Sequence, residues 1–402
     1  MKYIGPKIGS IESLANTLSI SKTSLDYIIS NIQFQYKTFL IESKNGKIRQ
    51  ICEPKIELKN IQKRINSRIL SKVQYPHYLQ GGIKDPQFPR DSFNNANIHI
   101  DAKWVINMDI KNFYPNIKFR HVEQIFKHHL NFHPSVSAYL ARLVTYEDIE
   151  NGDLYIPQGA VTSSYIANLV FFSDESSLVN SLKSQNIRYT RLLDDITLSS
   201  SQYNLSPEQE IKLIKKISTF IKVNKFSINK KKTTVIRKNH PLTKMQVTGL
   251  VINTSSNSKI PKCPSDVVSS TRKEVMQCIK EYKFHNNTKY RHTYHQQWNT
   301  ASGKVARLER SSHHIAKSLR ENLRNCLPQY DASTINHIGI QVDYVYSKYL
   351  KNCKVCLEDN NFVYKVNYLI YQCSVIARSN IKYSTYLRSI LSRIPVQKKI
   401  PN

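Results

Sequence analysis

The spacing of apolar residues changes repeatedly over the first two-thirds of the chain, and each change predicts a new element. Residues 10–32 read as a helix pair, because Ser10 and Ser21 each precede apolar positions as polar helix starts. Tyr36–Ile41 and Lys47–Ile51 then form a predicted hairpin about Asn45-Gly46, a dipeptide suited to a tight turn. In its second strand Lys47 and Arg49 share one face, Ile48 and Gln50 the other. Leu58 to Val73 is helical in pattern, with Ile61, Ile65 and Ile69 on one side and Lys63, Arg64 and Arg68 around it. Residues 76–100 are rich in loop signals, including Gly81-Gly82 and prolines 76, 86 and 89. An apolar strand, Trp104–Met108, ends on Asp109, and Pro115 limits any continuation beyond Tyr114.

Pro157-Gln158-Gly159-Ala160 reads as a turn into a helix over 162–172, whose Ser163, Ser164 and Ala167 permit close packing. Two short β-like runs flank Asp194-Asp195. Ser206-Pro207-Glu208-Gln209 is a capping box with proline at the first helical position, and the following helix is expected to align Ile211, Ile214, Ile217 and Ile221. A domain boundary is expected near Thr254–Ser258, followed by basic helices, among them 297–325. No internal repeat is visible.

At 402 residues the chain is long enough for two or three domains. Lysine and arginine outnumber aspartate and glutamate 59 to 29, a net charge of +30 that points to a polyanionic partner. Residues 255–402 hold 24 of the basic and 9 of the acidic residues, so the last third is the more strongly basic part. The seven scattered cysteines read as reduced thiols, and Cys353-Lys-Val-Cys356, without a second pair nearby, does not make a zinc site. The N-terminus lacks the form of a signal peptide and no apolar run is long enough to span a bilayer, so no membrane partner and a cytoplasmic location are expected.

Asp194-Asp195 alone would suit a solvated turn. Adjacent carboxylates repel, however, and a cation relieves that repulsion. With β-runs on both sides and Asp109 at the end of another strand, the three acids suit a site that holds two divalent metals and joins nucleotides.

The order of these features resembles the right-hand polymerase domain of reverse transcriptases: basic hairpin, strand ending in Asp109, Gln-Gly loop before a helix, Asp-Asp hairpin, lysine-rich turn. It is most similar to the bacterial retron-type and related defence-associated enzymes, over roughly residues 10–255. Asn95-Ala96-Asn97-Ile98-His99 matches their Asn-Ala-x-x-His stretch, and Val247-Thr248-Gly249 their Val-Thr-Gly motif. The resemblance implies an α+β fold: fingers and palm over 1–254 with an antiparallel palm sheet, a helical thumb over 255–328 and a helical extension over 329–402.

It also implies site roles. Asp109, Asp194 and Asp195 would be catalytic and hold two Mg²⁺, with the Ile110 carbonyl as a further ligand and Asp195 the less direct one. Tyr114 would exclude a ribose 2′-hydroxyl, while Lys47, Arg49, Gln158, Gly159 and Lys232 would contact the deoxynucleoside triphosphate. Asn95, His99, Val247, Thr248 and Gly249 would be RNA-binding, as would Lys289, Arg291, Tyr294 and Trp298, where aromatics interleave with cations. Two positions depart from the family pattern: Leu192 replaces a usual tyrosine, and Ser164 a common proline.

The implied activity is RNA-directed DNA synthesis on a partner noncoding RNA, in bacterial antiphage defence, with an effector protein or a second copy as an open further partner. Protein-primed or template-independent synthesis, an intron-type enzyme and a non-catalytic RNA scaffold also remain open. Tyr344-Val-Tyr346 and the run Tyr364–Tyr371 could bind RNA, meet another subunit or supply a priming hydroxyl.

Overall fold

A computed structural model describes residues 1–42, 46, 48–85, 87–148, 152–238, 243–253, 259–284 and 288–395, the side chains at 354, 358 and 360 aside. The chain separates into two compact units, Met1–Pro261 and Lys262–Asn402. The boundary stretch expected at Thr254–Ser258 lies outside the described residues.

In the first unit, helices α1 (Ile11–Leu18) and α2 (Lys22–Ser30) start as expected. Ser10 Oγ accepts from Ser13 N and Ser21 Oγ from Ser24 N, both at 3.1 Å, satisfying donors that the helix itself leaves open. Strands β1 (Tyr36–Glu42) and β2 (Ile48–Pro54) pair antiparallel with Tyr36 opposite Pro54. Asn45 and Lys47 of the predicted turn lie outside the described residues. Helix α3 (Ile56–Arg68) stops short of the expected Val73, because Val73 pairs with Tyr3 in a small antiparallel ribbon.

The segment expected to be loop holds strand β3 (Leu79–Gln80) and helix α4 (Ser92–Ile98). Asp91 caps α4 by accepting from Phe93 N and Asn94 N at 3.0 Å, a start signal hidden among the prolines. Strands β4 (Trp104–Asp109), β5 (Arg188–Leu192), β6 (Asp195–Ser200) and β7 (Thr234–Arg237) complete a sheet of order β7-β4-β6-β5-β3. The sheet is mixed and not wholly antiparallel, since β3 runs parallel to β5. Trp104, Ile106, Met108, Ile196 and Leu198 are buried in it.

Helices α5 (Ser163–Leu169), α6 (Glu175–Lys183) and α7 (Pro207–Val223) complete the elements that position the site. The α7 capping box is formed in both directions between Ser206 and Gln209. Its buried stripe is Leu213, Ile217 and Ile221, while Ile211 is 66% exposed. The expected alignment through Ile211 is therefore corrected: steps of four from Ile217 reach position 213, and 211 falls on another face.

Beneath the β5–β6 turn lies a closed polar cluster. Arg191 and Glu175 are both fully buried, with Nε–Oε1 at 2.6 Å and Nη2–Oε2 at 2.8 Å. Tyr189 donates to Glu175 Oε1 at 2.7 Å. The remaining Arg191 hydrogens go to the carbonyls of Ala167, Asn168 and Leu193, each at 3.1 Å. The guanidinium also lies 5.0 Å from the Phe171 ring centroid.

The second unit consists of helices α8 (Ser265–Phe284), α9 (His292–Arg310), α10 (Ala316–Arg324), α11 (Ala332–Lys351), α12 (Cys353–Glu358), α13 (Asn360–Ile376) and α14 (Ile381–Ser392), with a one-turn piece at Thr288–Tyr290. The helix expected over 297–325 is two helices, broken where Ser312 takes a φ of 49°. All seven cysteines are free thiols, and only Cys353 is exposed. Among the described residues, no helix is long and apolar enough to cross a membrane.

Removing one partner of the buried pair strands the other's charge away from water. Glu175→Gln should lower unfolding free energy by about 3–5 kcal/mol, read as a fall in the urea midpoint.

Candidate active site

Strands β4 and β6 are antiparallel neighbours, and their register sets Asp109 directly opposite Asp195. Asp194 stands in the two-residue turn between β5 and β6, after Leu193. Leu193 has a φ of 59°, a left-handed conformation that costs a non-glycine residue about 1–2 kcal/mol. Backbone contacts on both sides hold it there. Arg191 takes the Leu193 carbonyl, and Ile110 N donates to the Asp194 carbonyl at 2.9 Å. Below the turn, Asn168 donates to the Gly81 carbonyl at 2.9 Å and Ser164 to that of Gly82 at 3.0 Å. A Cβ at Gly82 would stand 2.2 Å from Ser164 Cβ, so the helix is seated directly on the glycine pair.

Asp109 is only 8% exposed, and its Oδ1 accepts from Lys232 Nζ at 2.6 Å. Asn229 N donates to the Asp109 carbonyl at 2.7 Å, which docks the Asn229–Lys232 turn on the end of β4. Burial pushes the Asp195 carboxyl up to about 6, with further contributions from the Asp194 and Asp109 carboxylates. Asp194 is raised as well, by burial first and then by Asp109, against the opposing pull of Lys232 and Arg49. Lys232 is raised by its bond to Asp109. Among the described residues no three His, Cys, Asp or Glu side chains close around a single point. The donor set is nonetheless three crowded carboxylates with hard oxygens, Asp109 raising the cost of ionising Asp194 and both raising that of Asp195, and that fits a divalent cation.

A cavity of about 490 Å³ opens over these acids. Arg49, Gln50, Tyr114, Gln158, Ile110 and Lys232 line it together with Asp109, Asp194 and Asp195. The Tyr114 hydroxyl is pushed up to about 12 by burial and by Asp194. Its ring meets Phe113 edge-on, with centroids 6.1 Å apart. Gly159 has a φ of 111°, and a Cβ there would lie 2.8 Å from Ile51 Cγ2. Cys52 N donates to the Gln158 carbonyl at 2.8 Å, so this loop is pinned to β2. Gly159 thus supports the cavity from behind while Gln158 faces it. A second cavity, also about 490 Å³, shares the wall of Asp109, Asp195 and Lys232 and is otherwise lined by Asn107, Thr197, Thr234, Lys244, Gln246, Thr248 and Gly249 among others.

The family model described as reverse transcriptase (RNA-dependent DNA polymerase) matches residues 41–296. The chain belongs to the reverse transcriptase family. Retron Se72 reverse transcriptase of Salmonella heidelberg is 37% identical over 396 residues, covering 98% of each chain. Retron Ec48 reverse transcriptase of Escherichia coli is 30% identical over 355 residues, 85% of this chain and 82% of that one. Retron Ec86 reverse transcriptase of Escherichia coli is 28% identical over 62% of this chain and 72% of its own. The activity is RNA-directed DNA polymerisation, a divalent-metal-dependent chemistry.

Several residues expected to touch RNA lie in the interior of this reverse transcriptase. Asn95 and His99 are fully buried. His99 Nδ1 lies 2.7 Å from Ser199 Oγ and Nε2 2.8 Å from Thr190 Oγ1, which binds the end of α4 to the β5–β6 hairpin. Val247 is buried as well. Strands β8 (Gln246–Val247) and β9 (Leu250–Val251) form a tight hairpin about Thr248-Gly249, both with positive φ. Thr248 Oγ1 donates to the Ser92 carbonyl at 3.1 Å. Helix α4, which begins at Ser92 and carries most of the Asn-Ala-x-x-His stretch, therefore packs on the Val-Thr-Gly hairpin, and Thr248 and Gly249 line the second cavity.

In the second unit Tyr294 is a core residue whose hydroxyl donates to the Cys326 carbonyl at 2.7 Å, so its expected stacking on bases is corrected. Trp298 is half-buried, donating to the Leu323 carbonyl at 3.0 Å with Arg378 over its ring. Lys289 Nζ lies 5.0 Å from the Tyr290 ring centroid, and Arg291 is exposed. Lys47 is outside the described residues. Sequence reasoning assigned nothing to Arg191, Glu175, Asn168 and Asn229. The available signal was the arginine itself, a charge inside a short strand run.

His99 is held neutral by burial, its pKa lowered from 6.5 to about 3. A histidine depressed in the folded state contributes its stability above 6.5 and loses it as pH falls toward 3. Between those limits the slope is up to about 1.4 kcal/mol per pH unit. Urea unfolding from pH 7 down to pH 4.5 should therefore be less steeply pH-dependent in His99→Gln than in wild type.

Proposed function

We propose that this reverse transcriptase copies part of a partner noncoding RNA into DNA, using deoxynucleoside triphosphates and two Mg²⁺ ions. Asp109 and Asp194, with the Ile110 carbonyl, would hold the ions, and Asp195 would serve less directly. The observation that carries this reading is the pair of cavities meeting at Asp109, Asp195 and Lys232. Chain extension needs two substrates side by side at one cluster of charge, and the two spaces differ in lining as those substrates do. Two bound Mg²⁺ supply charge stabilisation to the entering and leaving oxygens of an in-line displacement.

The remaining work falls to the protein's own groups. Arg49 offers a planar guanidinium to the triphosphate, and Gln158 flanks the same space. Tyr114 lines the same space, and its ring would fill the volume that a ribose 2′-hydroxyl needs. Lys232, paired with Asp109, would give a proton to the departing pyrophosphate. Asn107, Thr197, Thr234 and Gln246 form a polar floor for the terminus of the growing chain. We assign fingers and palm to residues 1–254, thumb to 255–328 and an extension to 329–402. The enzyme would act in the cytoplasm, in antiphage defence, a role supported by family likeness.

The test is to express the protein with its native flanking DNA and sequence the nucleic acid that copurifies, beside the Asp194→Asn, Asp195→Asn double variant. A defined RNA with complementary DNA, the DNA absent from the variant, is the expected result, and the variant should also lose phage protection in plating assays. DNA attached to protein would replace this reading with protein priming, and RNA alone in both samples with a scaffold. Separately, Tyr114→Ala should raise ribonucleotide incorporation relative to deoxynucleotide on the order of tenfold, a barrier change of about 1.4 kcal/mol.

A further inference from the structure

Helix α13 has two unlike faces. Phe362, Val366, Leu369, Cys373 and Ile376 recur at helical spacing and are all buried in the core of the second unit. Tyr364, Tyr368 and Tyr371 recur at the same spacing on the opposite side. Their rings form a continuous ladder, with 6.3 Å between the centroids of Tyr364 and Tyr368 at an interplanar angle of 3°. Tyr368 and Tyr371 follow at 6.2 Å and 29°. Tyr371 is fixed by a hydrogen bond from Asn299 Nδ2 at 2.6 Å, and the ladder ends outward on Tyr364, 67% exposed. Beside it, Lys365 Nζ lies 5.3 Å from the ring centroid of Tyr344, another exposed tyrosine.

A solvent-facing helix side normally carries charged residues, and a row of half-buried aromatics that ends on an exposed one marks a surface with a partner. Residues 255–402 carry 24 basic against 9 acidic residues, so that partner is anionic. Flat apolar rings combined with cations fit unpaired nucleotides, whose bases stack while their phosphates meet the positive charge. We propose that the Tyr364–Tyr368–Tyr371 ladder is a stacking platform for single-stranded nucleic acid. It lies on helix α13 and shares no residue with the site around Asp109. The proposal rests on the reading that an RNA accompanies the enzyme, and the assay separates the two.

The full chain carrying Tyr364→Ala and Tyr368→Ala is compared with wild type and with the double Phe variant. Binding of a labelled, unstructured 20-nucleotide RNA, and of the same sequence as DNA, is followed by fluorescence anisotropy over a range of salt. Each stacked base contributes substantially, so the Ala variant should bind about tenfold or more weaker. No charge has been removed, so the slope of log affinity against log salt should stay unchanged. The Phe variant should bind like wild type, and extension of a primer on a short annealed RNA template should persist in all three. Loss on both probes would assign the platform to unpaired strands generally, and loss on RNA alone to template or partner RNA. Undiminished binding by the Ala variant would overturn the proposal. So would equal loss in the Phe variant, or a wild-type dimer by light scattering that the Ala substitutions dissolve. Failure of primer extension in wild type would instead count against the polymerase reading.

Discussion

Arg191 and Glu175 share a space from which water is excluded, and every hydrogen-bonding group of the guanidinium that the structure describes is directed at the hairpin or at the helices beneath it. Such a pair contributes little net stability against an apolar replacement, yet it is intolerant of losing one member. Its value lies in direction. One arginine fixes the Leu193 carbonyl, the Ala167 and Asn168 carbonyls and the Glu175 carboxylate relative to each other, and so fixes the turn that presents Asp194. A left-handed leucine could not hold that turn unaided, since its local preference opposes the conformation it adopts. Strain at the tip is matched by an over-determined base.

The carboxylates impose the second constraint. Strand register alone sets Asp109 opposite Asp195, and burial raises the cost of charging Asp195. Lys232 answers part of that charge from a turn docked on the end of β4. A nearby lysine that partly balances the acids can also be drawn away when stronger charges arrive, so the resting site is eased without being blocked.

Much of this was legible in the sequence. An apolar run ending in Asp109 and short β-like runs flanking Asp194-Asp195 located the sheet and its acids, because a compact apolar run and a charge at its end are local signals. The helix caps at Ser10, Ser21 and Ser206 were legible for the same reason. Helix α4 was not, because its Asp91 cap sits among glycines and prolines that dominate the local pattern. The parallel pairing of β3 with β5 is set by chain segments more than a hundred residues apart, and two residues cannot announce a strand. Tyr294 misled because aromatics beside cations look alike whether a helix turns them outward or into the core.

The bond from Thr248 to the Ser92 carbonyl ties the Val-Thr-Gly hairpin to the helix that carries most of the Asn-Ala-x-x-His stretch, two signatures that read as separate along the chain. They are the two halves of one joint between helix α4 and the β8–β9 hairpin. Exchange between relatives therefore obeys a rule that neither half reveals by itself. A chimera that imports one of them has to preserve the packing of the other across that joint, however far apart they stand in the gene.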